Sequence, residues 1–188
     1  EYSTWGAWAM GSPDISPNAG DQNAAVHLGF WVAGDMLDQS EIPTSGSASM
    51  SGKAVFNVAY RYNQANSDYG VKQYSGHATV NGSFNWGSGS YSGQLDFTNF
   101  DSGNSLVSNA GFTSFSVSLA GSGATYAGSL NDTNNGWTRE AVIAGALYGN
   151  NTPVESGGRI SVGLSKSGSL GTSGANDFYM AEGIYLID

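Results

Sequence analysis

Hydrophobic residues recur in this chain with a period of two, in run after run. That pattern narrows the possible folds more than any other feature. In SASMSGKAVFNVAYRY (47–62), Ala54, Phe56, Val58 and Tyr60 alternate with Lys53, Val55, Asn57, Ala59 and Arg61. GHATVNGSFNW (76–86) sets Ala78, Val80, Phe84 and Trp86 opposite His77, Thr79, Asn81, Ser83 and Asn85. GSYSGQLDFTNF (89–100) and TSFSVSLA (113–120) repeat it with Tyr91, Leu95 and Phe97, then with Phe115, Val117 and Leu119. Successive side chains of a strand point to opposite faces, so each run predicts a strand with one apolar face.

Shorter runs complete the set. They are TWGAWAM (4–10), AVHLGFWVAG (25–34), ATYAGSL (124–130), REAVIAGALYG (139–149), GRISVGLSK (158–166) and DFYMAEGIYLI (177–187). Turn clusters such as GSGS (87–90) and DSGN (101–104) separate them. The reading is about ten strands and no amphipathic helix of useful length. Antiparallel strands with short turns form a meander. A chain of this size buries one apolar face per strand most simply by closing the sheet. The expected fold is all-β: an antiparallel up-and-down β-barrel of about eight strands, with a β-sandwich as the alternative. Residues 1–188 are expected to form a single barrel domain, with a partly irregular N-terminal segment over 1–24.

Composition agrees. Glycine supplies 28 residues and charged side chains only 11 %. Glycine reaches φ > 0 without a Cβ penalty and so serves many tight turns. Six Lys and Arg stand against 15 Asp and Glu, for a net charge of −9. That balance argues against nucleic-acid binding, which needs cations against phosphate. It also disfavours docking to anionic membranes. There is no cysteine, which excludes disulfides, zinc–cysteine sites, iron–sulfur clusters and thiol catalysis. No apolar stretch approaches the length of a transmembrane helix, about 18 residues. The chain begins at Glu1 without methionine and is read as a mature protein or an excised domain, any signal or lipid-bearing cysteine having been removed.

The stretches WGAW (5–8), GFWVAGD (29–35), IPTSGSASMSGKA (42–54), SYSGQLDFTNF (90–100), TYAGSL (125–130), GALYGNNTPVESGG (145–158) and YMAEGIYLI (179–187) carry a resemblance. In order and spacing they resemble the β-barrel of transferrin-binding protein B and its wider group of surface lipoproteins. That group includes the factor-H-binding barrel and lipoproteins exported by Slam-type translocons. Asn150-Asn151 stands where the group has Gly-Pro, and Pro153-Val154 replaces a small residue before Glu155. The resemblance implies an eight-stranded barrel filled with side chains, displayed at or released from the surface of a Gram-negative bacterium. It implies binding rather than catalysis, with a host or bacterial surface protein as partner.

His27 or His77, with a tyrosine or Met10, could ligate haem; a surface or partly packed histidine is the plainer reading, so no cofactor is expected. Glu155 could serve acid–base chemistry only with a partner such as Glu140, Glu182 or Asp96, and nothing in the spacing makes them converge. A glutamate that accepts backbone N–H bonds or pairs with Arg159, fixing its hairpin, accounts for it better. No catalytic residue is assigned, and the protein is not expected to be an enzyme. SGK (51–53) lies within a strand, with no helix N-terminus to receive a phosphate. A calcium site at Asp14, Asp21 or Asp132 lacks any EF-hand or nonapeptide pattern. No metal site is assigned.

The aromatic content exceeds what a core alone requires: five Trp, ten Tyr and eight Phe. Tryptophan and tyrosine anchor interfaces. Trp5, Trp8, Trp31, Trp137 and Tyr69 are therefore the candidate ligand-binding residues, while Trp86 belongs to an inward-facing set. Recognition is expected in the long loops 11–24, 35–46, 63–75, 131–138 and 167–176. The function expected is a non-enzymatic surface or secreted barrel module that binds a protein or small ligand. The alternatives are a structural module of a larger surface protein or fibre, and a carrier of haem or another hydrophobic small molecule.

Overall fold

The computed structural model describes residues 2–12, 25–63, 69–166 and 177–188. Eight strands close into an antiparallel barrel: β3 (Ser47–Asn63), β4 (Tyr69–Gly87), β5 (Ser90–Thr98), β6 (Ser114–Ser122), β7 (Thr125–Asn134), β8 (Trp137–Gly149), β9 (Pro153–Lys166) and β10 (Asp177–Ile187). Each pairs with its neighbour in sequence, and β10 closes the ring by pairing with both β9 and β3. Ile184, for example, lies between Arg159 and Val55. The up-and-down barrel expected from the alternation is the fold, and the sandwich alternative is set aside by the closure.

The inward faces are those the period of two picks out. Ala54, Phe56 and Val58 on β3, Val80 and Phe84 on β4, Leu95 and Phe97 on β5, and Val117 and Leu119 on β6 are buried. Ala141 and Ile143 on β8, Ile160, Val162 and Leu164 on β9, and Tyr179, Ala181, Tyr185 and Ile187 on β10 complete the lining. An eight-stranded barrel is just wide enough for side chains to fill, and aromatic rings fill this one. Phe112 stacks on Phe115 with centroids 4.0 Å apart, Phe56 on Phe100 at 4.5 Å and Phe97 on Phe115 at 4.8 Å.

Both mouths are covered. The β5–β6 connection folds over one of them. Its short helix α1 (Ser105–Asn109) is capped by Asn104, whose side chain accepts from the Leu106 N–H at 2.8 Å. Phe100, Leu106, Val107, Ala110 and Phe112 are buried there. At the same end Asp101 accepts hydrogen bonds from the Tyr74 and Tyr179 hydroxyls, the latter at 2.9 Å. At the other mouth Leu37 and Ile42 are buried on either side of a 3₁₀ turn, Gln39–Glu41. The Glu41 carboxylate binds that turn to the β8–β9 hairpin, accepting from the Asn151 N–H at 2.9 Å and the Asp38 N–H at 2.7 Å.

The first two strands do not join the barrel. β1 (Ser3–Ser12) and β2 (Ala25–Gly34) form a separate two-stranded ribbon. Ser3 to Ser12 is thus regular strand within the segment expected to be partly irregular, and residues 13–24 lie outside the described residues. Two expected loops are also corrected. Residues 131–138 are not a long loop: β7 runs to Asn134, β8 starts at Trp137, and Asn135-Gly136 make the turn at φ 52° and 77°. Both turn residues sit at φ > 0, as a two-residue hairpin compatible with strand twist demands. The 63–75 loop is shorter than expected because β4 already begins at Tyr69, and 64–68 lie outside the described residues.

Candidate functional site

The site begins with the ribbon, here called the arm. Its register pairs Trp5 with Val32, Ala7 with Phe30, Gly6 with Trp31 and Trp8 with Gly29. Paired residues share a face. One face therefore carries Trp5, Ala7, Phe30 and Val32, and the other Thr4, Gly6, Trp8, Gly29, Trp31 and Ala33. The first face looks onto the barrel wall, where Phe30 and Trp5 roof two clefts floored by β3, β9 and β10. The second faces away.

On that outer face the two indoles lie reciprocally across the ribbon. A Cβ on Gly29 would fall 2.2 Å from the Trp8 indole, and one on Gly6 2.7 Å from Trp31. Glycine opposite each tryptophan lets each ring lie against the backbone. Cross-strand aromatics of this kind stabilise a ribbon that is otherwise marginal by itself. Both rings nevertheless stay open, Trp8 at 51 % and Trp31 at 44 % exposure, and Trp5 on the inner face is 50 % exposed.

What holds the arm is a carboxylate. On β9 the inward residues are Ser156, Gly158 and Ile160, so Glu155 points outward, yet it is only 8 % exposed because the arm covers it. Glu155 Oε1 accepts from the Tyr2 N–H at 3.0 Å, and Oε2 from the Ser3 N–H at 2.7 Å and the Ser3 hydroxyl at 2.5 Å. Burial pushes its carboxyl up, but the bonds from the Ser3 hydroxyl and the two backbone amides outweigh it and hold the group below the usual glutamate range. Further bonds run on at the base of the arm. The Asp35 N–H donates to Tyr2 O at 2.9 Å, the Gly149 N–H to Asp35 O at 3.2 Å and the Leu37 N–H to Leu147 O at 3.2 Å. Ile184 records the same covering: it points outward on β10 and is 6 % exposed.

The expected role of Glu155 is therefore half right. It is an acceptor of backbone N–H bonds, but the donors are Tyr2 and Ser3 at the start of the arm, about 150 residues away in sequence. It fastens the arm rather than its own hairpin.

The structure gathers Trp5, Trp8 and Trp31 on the arm and leaves Trp137 elsewhere. Trp137 opens β8 at the opposite end of the barrel from the Glu155 clamp, is 2 % exposed, and has Lys166 Nζ 5.9 Å from its ring centre. Tyr69 starts β4, and its side chain lies outside the described residues, as do those of Met10 and His27 and the whole of Asp14 and Asp21. Trp86 is in the core, and His77 is exposed on the outer wall.

The other carboxylates are engaged or scattered. Asp96 accepts from Gln94 Nε2 at 2.6 Å and Ser116 Oγ at 2.5 Å. Asp132 holds Arg139 through a two-pronged bond of 2.6 and 2.5 Å, which keeps its carboxyl below the usual range. Among the described residues no three His, Asp or Glu side chains group so as to hold a metal ion. Inside the barrel, Tyr185 donates to Tyr126 at 2.8 Å, and Tyr126 meets Ser156 Oγ at 2.6 Å. Burial pushes the Tyr126 hydroxyl up to about 12 and raises Tyr185 as well.

Comparison with known proteins adds little to this geometry. No family model matches the chain, and no curated protein matches it in sequence. Among solved structures it is similar to a mutant of the vaccine antigen transferrin-binding protein B from Haemophilus parasuis Hp5, with 15 % identity and a TM-score of 0.48 over all of this chain and 34 % of that one. The chain thus spans about a third of that protein's length. The barrel assignment rests on its own strand pairing.

Proposed function

We propose that the chain is a non-enzymatic binding module, displayed outside the cell, that engages a protein partner through the outer face of its N-terminal arm. The observation that carries this is the pair Trp8 and Trp31. Both lie on a ribbon outside the closed sheet, about half exposed and backed by glycine. Tryptophan is enriched among residues that dominate interface energy. The barrel supports this role as a rigid mount, because its interior is filled and its mouths are covered. Surface display is supported by a cysteine-free chain that is rich in glycine and has only 11 % charged residues.

The test uses the protein as bait in host serum and in bacterial surface extracts, beside a Trp8→Ala/Trp31→Ala variant. A partner retained by the parent, lost by the variant and reproduced with the purified pair supports the reading. A partner held equally by both proteins removes the arm from the account.

A structural role in a larger surface protein is the second reading. Among the described residues, no strand pairs with the outer edge of β1 or of β2, and open edges invite pairing between chains. Concentration-dependent sedimentation would favour this reading; a monomer throughout favours the first.

A further inference from the structure

Between the inner face of the arm and the barrel wall lies a cleft of about 600 Å³, a size typical of small-molecule sites. Its roof is Phe30 and the Gly29 backbone; its walls include Val142 and Ile184. Two opposite charges enter it, Arg159 from β9 and Glu182 from β10. The register sets Glu182 across from Ser161 and Arg159 across from Ile184, so the two are diagonal neighbours on one face of adjacent strands. Long side chains placed so can reach each other. Here they do not: among the described residues, neither Arg159 nor Glu182 has a hydrogen-bond or ion-pair partner. A guanidinium and a carboxylate thus stand side by side, unpaired, at the edge of an apolar recess with an aromatic roof.

We infer that this cleft binds a small zwitterion with an apolar body, of the class of the free apolar α-amino acids. The guanidinium would take the ligand carboxylate in its planar fork. The Glu182 carboxylate would take the ammonium. Phe30, Val142 and Ile184 would cover the side chain. A lone anion would meet Glu182 as a repulsive neighbour, and a lone cation would meet Arg159, so the pair selects for both charges in one molecule. An exposed Arg–Glu pair contributes little when formed, so a ligand that separates the two forgoes little. This site is distinct from the outer tryptophan face, and its test does not depend on a protein partner.

The experiment titrates L-phenylalanine and L-leucine separately into the full chain while amide shifts are followed by NMR. 3-Phenylpropionate and phenethylamine serve as probes that lack one charge each. The expected result is saturable shifts at Gly29, Ser161 and Gly183, with both single-charge probes at least tenfold weaker. Arg159→Gln and Glu182→Gln should each weaken binding at least tenfold. Both side chains are exposed, so both variants should fold, and an unchanged thermal melt checks this. Absence of saturable shifts with both amino acids overturns the inference. So does equal binding of the single-charge probes, or binding indifferent to both substitutions; either would mean an apolar recess without charge recognition.

Discussion

Replacing Glu155 with alanine should free the arm while leaving the barrel intact. Three donors lose their acceptor at once: the Tyr2 and Ser3 amides and the Ser3 hydroxyl, bound at 3.0, 2.7 and 2.5 Å. A hydrogen bond to a charged group contributes about 1.5–3 kcal/mol. The full sum is not realised, because an opened arm returns its donors to water and the Asp35 and Gly149 bonds remain. The net loss for arm docking is about 2–4 kcal/mol. At about 1.4 kcal/mol per factor of ten, that is roughly a thirty- to several-hundred-fold rise in the arm's open population. Native-state hydrogen exchange reads this directly, since local opening is reported amide by amide. Amides of β1 and β2 should exchange faster by that factor, while those of β5, β6 and β7 should not change. Glu155→Gln should fall between, because its amide keeps an acceptor but turns an N–H toward a donor. Unchanged arm exchange would refute the clamp, and so would a barrel that accelerates in step with the arm.

Other consequences follow from the same structure. The Glu155 carboxyl is held below its ordinary value, so its contribution is fully present above the ordinary glutamate pKa of about 4.3 and is lost as pH falls through the lower folded value. Tryptophan fluorescence of the arm should therefore change at acid pH before the barrel melts, and Glu155→Gln should abolish that early step. Gly145→Ala places a Cβ 2.4 Å from the Tyr185 hydroxyl and 2.6 Å from that of Tyr126. Overpacking of this kind costs about 1–3 kcal/mol, read as a lower denaturation midpoint. Asp101→Ala strips the acceptor from the Tyr74 and Tyr179 hydroxyls and should cost about 1–3 kcal/mol, with near-ultraviolet circular dichroism reporting looser tyrosines.

Much of the barrel was legible in the sequence, because barrel strands are specified locally. Phe56, Val80, Phe97, Val117 and Ile160 announce their face through their immediate neighbours, and a two-residue period is enough to do so. The arm was not legible in this way. Trp5, Ala7, Phe30 and Val32 alternate as barrel residues do, and nothing within either run says which sheet it joins. That choice is made by distant partners: β10 closes on β3 and leaves no edge for β2 to join. A trace of the arm did exist in Gly6 and Gly29, each close in sequence to a tryptophan that needs a glycine across the ribbon. Glu155 was identifiable as an acceptor but not as a clamp, because its donors are set by tertiary packing. The 131–138 segment carries a usable signal against a long loop, since Asn135-Gly136 is a two-residue hairpin turn. The cleft charges were hidden too: Arg159 and Glu182 become neighbours only through the β9–β10 register.

The tryptophan-bearing ribbon is an arm laid against a barrel that is complete without it. A thermal melt of residues 35–188, followed by far-ultraviolet circular dichroism, tests this most directly. The truncated protein should give a β-sheet spectrum and a single cooperative transition. A chain that has lost its sheet signal, or that melts without cooperativity, would show β1 and β2 to be integral to the barrel.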